Sequence, residues 1–88
     1  MEIERKVRLT NPLGLHVRVG VKLVEEARKF AADVFISNDE ETVDGKDILA
    51  ILTLGAEAGS VLTLRTVGED AEAALDHLEL LFVNEFKD

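Results

Sequence analysis

The 88-residue sequence has no cysteine, tryptophan or tyrosine and a single proline. Without cysteine, neither a disulfide nor a thiolate site can hold the fold together, so the core must be built from the many leucine, valine, isoleucine and alanine side chains. The start of the chain, residues 1–6, is rich in charge and lacks the apolar segment of a secretion signal. We therefore expect a cytoplasmic protein.

Long apolar runs and an excess of basic residues are also missing. The longest apolar run, residues 48–58, is interrupted by a threonine, a glycine and a glutamate. It is much shorter than the roughly 20 residues of a membrane span, so we expect no membrane insertion. The formal net charge of −8 argues against nucleic-acid binding, which depends on neutralising phosphates with lysine and arginine. The length suits one small domain, and we expect a single domain over residues 1–88.

Hydrophobic periodicity and turn residues predict the secondary structure of most of the chain. The predicted strands are residues 2–9, 33–37, 41–44 and 60–67, and the predicted helices are residues 48–54 and a last helix that begins after Asp70. Residues 16–30 carry two conflicting patterns. Apolar residues alternate from Val17 to Leu23 as in a strand, whereas a helical period runs from Leu23 to Ala31.

Two aspartates and a glycine mark helix ends. Asp47 is a good N-cap for the helix over residues 48–54, and Gly55 follows its end as a helix stop. We expect Asp70 to cap the last helix. That helix carries one apolar stripe, formed by Ala71, Ala74, Leu75, Leu78, Leu81 and Phe82. The apolar residues of the helix over residues 48–54 cannot all face inward, so we expect some to be exposed at a contact surface.

Residues 14–18, Gly-Leu-His-Val-Arg, place a histidine and an arginine close to turn-forming residues 11–14. If a helix begins here, His16 and Arg18 lie beside the unpaired backbone N–H groups of its first turn. Such a place binds anions, because the amides and the helix dipole favour negative charge and arginine adds a two-pronged hydrogen bond. A phosphate-binding histidine is one interpretation, and an ordinary surface histidine is the other.

The same stretch resembles the active-site motif Gly-Leu-His-x-Arg-Pro-Ala of the histidine-containing phosphocarrier (HPr) family of the bacterial sugar phosphotransferase system. The matching residues are Gly14, Leu15, His16 and Arg18. Residues 46–48, 53–55 and 59 also fall at the family's spacing. The resemblance covers nearly the whole chain and implies that residues 16–30 form a helix. It also implies the strand order one, four, two, three.

With that helix included, the order of elements is strand, helix, strand, strand, helix, strand, helix. This order is typical of an α+β open-faced β-sandwich, in which three helices lie on one face of a four-stranded antiparallel sheet.

By this resemblance, His16 is the phosphoryl carrier, which receives the group on Nδ1 from Enzyme I and passes it to a sugar-specific component. Arg18 and the backbone N–H groups of Val17 and Arg18 would hold the phosphoryl oxygens. The residues implied for partner contacts are Lys29, Ile48, Leu49 and Leu52. The protein would be a monomer and a substrate of other enzymes rather than an enzyme, and it would need no cofactor.

Three features depart from the family pattern. Val19 and Gly20 replace proline and alanine, which makes the first helical turn more flexible. Glu40 replaces a turn glycine. Asp47 stands where one branch of the family carries a regulatory serine, so it is either a plain N-cap or an imitation of phosphoserine.

The second interpretation of Asp47 supports an alternative function. The protein would be a regulatory module that binds a transcription factor or an enzyme through Asp47 and the helix after it, with little or no phosphotransfer. A third interpretation is a carrier in a nitrogen-related or dihydroxyacetone-linked branch of the same system.

The other histidine, His77, lies off the apolar stripe of the last helix, between Asp76 and Glu79. We expect it to be a solvated surface residue. Two histidines far apart in sequence, without cysteine or patterned carboxylates, predict no metal site.

Overall fold

The structure, a computed structural model, describes residues 1–87. Its elements are β1 (Glu2–Arg8), α1 (Val17–Ala27), β2 (Asp33–Ser37), β3 (Thr42–Asp44), α2 (Ile48–Leu54), β4 (Val61–Val67) and α3 (Ala71–Val83). The predicted order of elements is confirmed. The largest difference is in α1, which ends at Ala27 rather than at Phe30. Within residues 1–87, no helix has the length and apolar composition needed to cross a bilayer.

The four strands form one antiparallel sheet in the order β1-β4-β2-β3, which confirms the expected fold class and strand order. Arg8 at the end of β1 pairs with Val61 at the start of β4. Beyond this pair, Leu9 N–H donates to the Ser60 carbonyl at 2.9 Å and Gly59 N–H donates to the Leu9 carbonyl at 2.7 Å. The loop after β1 and the loop before β4 therefore leave the same end of the sheet side by side.

The helices cover one face of this sheet with apolar side chains. Buried residues alternate along β4 and recur every three or four positions along the helices, as the two geometries require. They include Leu62, Leu64 and Thr66 of β4, Leu23, Val24 and Ala27 of α1, Ile51 and Leu54 of α2, and Ala71, Ala74, Leu75, Leu78 and Phe82 of α3. The predicted stripe of α3 is thus confirmed, although its member Leu81 is only partly buried.

Contacts with distant parts of the chain end α1 earlier than its apolar period predicts. The backbone amides of Ala31 and Ala32 donate to the Asp70 carboxylate at 2.9 and 2.7 Å. The Phe30 carbonyl accepts a hydrogen bond from Lys46 Nζ at 2.8 Å. Because these backbone groups have tertiary partners, they do not need another helical turn. The expected helix end at Phe30 is wrong for this reason.

Asp70 holds the N-cap position of α3 as predicted, but among the described residues its side chain makes no hydrogen bond that caps the helix. Its backbone, with φ −99° and ψ 24°, lies outside the extended region that aims a capping oxygen at the helix amides. The carboxylate binds the two amides after α1 instead. These bonds lower the pKa of Asp70, and the bond from Ala31 N–H contributes most. Asp70 therefore links the turn after α1 to the start of α3.

The turn between β2 and β3 forms without a glycine at position 40. Asn38 Oδ1 accepts hydrogen bonds from the backbone amides of Glu40 and Glu41, each at 2.9 Å. Glu40 keeps an ordinary negative φ. An asparagine side chain thus takes the role that a left-handed glycine has in other turns.

Candidate functional site

His16 holds the N-cap position of α1 with an extended backbone, φ −80° and ψ 178°. Within residues 1–87 its half-buried side chain makes no hydrogen bond that caps the helix. The first helical bond runs from Gly20 N–H to the His16 carbonyl at 2.8 Å. The amides of residues 17–19 precede that bond, so they have no acceptor inside the helix. An imidazole beside these amides lies at the positive end of the helix dipole, where an anion is favoured.

Gly14 joins the loop of His16 to the segment before β4. Its φ of 67° is a left-handed value, and a Cβ built on it would lie 2.6 Å from the Ala56 carbonyl oxygen. The next residue, Leu15, is buried and donates its N–H to that same oxygen at 3.0 Å. Position 14 therefore requires glycine for its backbone conformation and for the close approach of the two loops.

Arg18, the predicted phosphate clamp, is exposed and contacts the segment that follows α3. Its Nη1 donates to the Phe86 carbonyl at 3.2 Å. On the other side of His16 in the sequence, Asn11 donates from Nδ2 to the Glu85 carbonyl at 2.6 Å. The end of the chain thus binds residues on both sides of the histidine.

This C-terminal contact is not predicted by the sequence patterns, and it depends on a buried aromatic side chain. Phe86 is fully buried, and its ring meets that of Phe82 edge-on with a centroid distance of 5.0 Å. Glu85 and Phe86 have φ values of 56° and 55°, so a left-handed pair turns the chain out of α3. Asn11 is buried, and its Oδ1 has no hydrogen-bond partner among residues 1–87. The one sequence signal for this contact is an aromatic residue, Phe86, beyond the apolar stripe of α3.

Val19 and Gly20, the two departures from the family motif, lie inside the molecule. Val19 is fully buried. A Cβ at Gly20 would lie 3.3 Å from side-chain atoms of both Ile48 and Leu52. Glycine at this position therefore lets α2 approach α1 closely. The packing of α2 against the first turn of α1 in turn limits the backbone flexibility that a glycine would give to that turn.

Exposed apolar side chains flank this junction of α1 and α2. Val17 and Val21 are exposed, and because they are four residues apart they share one face of α1. Leu49 of α2 is 73% exposed, and Ile48 and Leu52 are partly exposed. The expectation that α2 leaves apolar residues at the surface is confirmed. Two of the predicted partner-contact residues, Ile48 and Leu52, thus lie next to the first turns of α1, and Leu49 is on the same short helix.

Asp47 caps α2 as predicted. Its Oδ1 accepts hydrogen bonds from the backbone amides of Leu49 at 3.0 Å and Ala50 at 3.2 Å. Gly55 ends the helix with a left-handed φ of 60°. Asp47, one of the departures from the pattern that the sequence resembles, therefore performs a structural task in this chain.

Lys29, the fourth predicted partner-contact residue, belongs to a charged cluster near the end of α1. It is 63% exposed and pairs with Glu26 at 2.7 Å. The Glu26 carboxylate is buried and lies 2.6 Å from His77 Nε2, whose ring is 5.5 Å from that of Phe30. Hydrogen bonds from Lys29 and then from His77 lower the pKa of Glu26.

The prediction that His77 is merely solvated is wrong, because the residue connects α3 to α1. In the part of the chain that the structure describes, no three histidine, aspartate or glutamate side chains gather as metal ligands.

A cleft of about 310 Å³ opens beside His16. Pro12, Leu13 and Leu15 line it on the side of the histidine loop, and residues 55–58 line it on the other side. A larger depression of about 550 Å³ lies at the C-terminal segment and touches none of the predicted site residues. The cleft at His16 is therefore the concave surface that bears on the candidate site.

Comparison with known proteins identifies close relatives of the chain. Residues 3–84 match the family described as "PTS HPr component phosphorylation site". The chain is 38% identical over 78 residues to the phosphocarrier protein HPr of Buchnera aphidicola, which covers 89% of this chain and 92% of that protein. It is 39% identical over 75 residues to the phosphocarrier protein NPr of Shewanella violacea, which covers 85% of this chain and 82% of that protein. Among solved structures, an HPr from Thermoanaerobacter tengcongensis is similar with a TM-score of 0.94 at 31% identity, covering 98% of this chain and 97% of that one.

Proposed function

The chain belongs to the HPr family of the phosphotransferase system, and on that premise we propose that it accepts a phosphoryl group on His16 from Enzyme I and passes it to a sugar-specific component. In this role the protein is a substrate of other proteins rather than an enzyme. We propose that it acts as a monomeric single domain in the cytoplasm.

The position of His16 supports this proposal most directly. The residue lies at the N-cap of α1, and the amides of residues 17–19 have no acceptor inside the helix. A phosphoryl group on the imidazole would carry its negative oxygens into the region where these N–H groups and the helix dipole favour an anion.

The proposed transfer exchanges one nitrogen–phosphorus bond for another. A neutral imidazole nitrogen of His16 attacks the phosphorus of a phosphohistidine on the donor, and the donor's own nitrogen–phosphorus bond breaks as the new bond forms. Such transfers depend mainly on positioning and on stabilising the charge of the phosphoryl oxygens. The chain's contributions are the amides of Val17 and Arg18 and the guanidinium of Arg18.

Arg18 can bind a phosphoryl group while it keeps its contact with the C-terminal segment. Its Nη1 donates to the Phe86 carbonyl, but a guanidinium has five N–H donors. The side chain is exposed, so the remaining donors are accessible. A two-pronged bond to phosphoryl oxygens is the geometry that arginine favours.

We assign the partner contacts to Ile48, Leu49, Leu52 and Lys29. The most exposed of the three apolar residues is Leu49, and the other two lie beside Gly20 in the first turns of α1. An apolar surface of this kind, next to the reacting group, suits the centre of a transient interface. Lys29 would add a charge at its edge.

The regulatory alternative depends on Asp47 as an imitation of phosphoserine that attracts a transcriptional regulator. The Asp47 carboxylate is engaged with two backbone amides of α2. A plain capping role therefore accounts for its presence, and we favour the phosphocarrier function.

Incubation with Enzyme I and labelled phosphoenolpyruvate tests the proposal. We expect acid-labile label on the wild type and on His77→Ala, and none on His16→Ala. The His77 variant is the matched control because it removes the other imidazole of the chain. A wild type that takes up no label would falsify the proposal.

A further inference from the structure

The cleft beside His16 is lined on one side by an acidic residue, Glu57. Apart from His16 and Glu57, the residues that line the cleft are apolar or glycine. Glu57 is exposed, and within residues 1–87 its carboxylate has no hydrogen bond or ion pair. The cleft therefore combines apolar walls, the proposed phosphoryl acceptor and one negative charge.

The backbone around Glu57 is fixed relative to the histidine loop. Leu15 N–H donates to the Ala56 carbonyl at 3.0 Å, one residue before Glu57, and Ser60 N–H donates to the Glu57 carbonyl at 3.0 Å. A Cβ built on Gly14 would lie 3.1 Å from the Glu57 Cα. The backbone of Glu57 is thus anchored at one wall of the cleft, with His16 at the other.

A phosphoryl group near this carboxylate creates a repulsion that a cation can relieve. Two negative groups in one partly apolar cleft repel each other more strongly than they would in open water. A positive group that lies between them is attracted by both. An arginine side chain fits this place well, because its aliphatic stem suits apolar walls and its guanidinium binds a carboxylate with two parallel hydrogen bonds.

We propose that Glu57 selects the phosphoryl donor: the cleft takes an arginine side chain of the donor protein, and its guanidinium binds the Glu57 carboxylate while the phosphoryl group moves to His16. This inference rests on the proposed phosphocarrier function. A donor protein that has no basic side chain to place in the cleft is disfavoured, because the Glu57 carboxylate then repels the incoming phosphoryl group.

The test compares charge changes at Glu57 with the same changes at Glu72. Glu72 is exposed in the first turn of α3, which follows Gly68. Gly68 N–H bonds to the Met1 carbonyl, at the end of β1 opposite to the loop of His16. Variants at the two glutamates change the net charge equally, and only those at Glu57 change the cleft.

The experiment measures the steady-state phosphorylation of each variant by Enzyme I and phosphoenolpyruvate. For Glu57→Gln we expect a KM about tenfold above that of the wild type with kcat changed less than about twofold, since one charged contact with the partner is lost. Glu57→Lys should raise KM further, and added salt should reduce the difference in KM between this variant and the wild type. Glu72→Gln and Glu72→Lys should match the wild type, and urea midpoints should show that all four variants fold.

The outcomes separate this inference from the function on which it rests. If the wild type takes up label and Glu57→Lys has the same KM as Glu72→Lys, the proposed role of Glu57 is overturned and the phosphocarrier function is not affected. A wild type that takes up no label overturns the function itself. A fall in kcat with unchanged KM also overturns the inference, because it would place the effect of Glu57 in the transfer step rather than in donor binding.

Discussion

Replacing Gly14 with alanine should destabilise the protein far more than the same replacement at Gly55. The two glycines share a left-handed backbone, with φ values of 67° and 60°. Both variants therefore carry a similar conformational cost of about 1–2 kcal/mol. About 0.4–1 kcal/mol of it is offset because alanine makes the unfolded chain less flexible. The two positions differ in what an added methyl group would meet.

At Gly55, a Cβ would lie 3.6 Å from the Thr53 carbonyl oxygen, an ordinary contact. Gly55→Ala should therefore lower the free energy of unfolding by about 1 kcal/mol. At Gly14, a Cβ would lie 2.6 Å from the Ala56 carbonyl oxygen. That oxygen is held in place because it accepts a hydrogen bond from the Leu15 N–H. Overpacking of this kind adds about 1–3 kcal/mol, so we expect a loss of about 2–4 kcal/mol for Gly14→Ala.

Urea unfolding followed by circular dichroism measures both losses, provided the variants share one m-value. Gly59→Ala is a second control: Gly59 has a φ of 91°, and no atom of residues 1–87 outside its immediate neighbours lies within 4 Å of a Cβ built there. Losses at Gly14 and Gly55 that agree within about 0.5 kcal/mol would refute the argument from close approach, since a difference that small is typical of surface substitutions. The phosphorylation rate should follow the same order, because Gly14 lies in the loop that positions His16.

Three further predictions concern contacts that fix the ends of helices. Glu26→Gln should lower the free energy of unfolding at about pH 7, because the charged Glu26 carboxylate stabilises the fold. This contribution is fully present above the ordinary pKa of 4.5 and is lost as the pH falls through the lowered pKa of the folded state. A difference in urea midpoint between wild type and variant that is as large at about pH 3 as at about pH 7 would contradict this linkage. Phe86→Ala should cost about 3–5 kcal/mol in unfolding free energy, and a loss below about 1 kcal/mol would mean that the C-terminal segment is not packed in solution. Asp47→Ala should cost about 1 kcal/mol, whereas Asp47→Asn keeps a capping oxygen and should cost less; equal losses in thermal or urea unfolding would argue against the cap.

Local patterns in the sequence were sufficient to predict most of the fold. The apolar stripe of α3 and the alternation in β4 reflect burial on one face, which repeats with the period of the element itself. The ends of α2 were equally predictable, because Asp47 and Gly55 act on backbone groups within a few residues of themselves. The helical state of α1 and the strand order follow from the resemblance to the HPr motif and not from periodicity alone.

The candidate site was predictable only in part. The position of His16 at a helix start followed from the turn residues before it and from the family motif. The exposure of Leu49 followed from the shortness of α2. No pattern indicated that Arg18 binds the Phe86 carbonyl or that Glu57 shares a cleft with His16.

Only the tertiary structure decided which distant groups meet. Asp70 binds amides 38 and 39 residues away, and His77 reaches Glu26 across 51 residues of chain. Asn11 binds a carbonyl 74 residues away. A hydrophobic period records which side of an element is buried, and it carries no information about which polar groups the other elements bring to that side. The sequence by itself therefore determined the elements and their buried faces, whereas the folded arrangement of sheet and helices determined where α1 ends, how His77 is used and what holds the loop of His16.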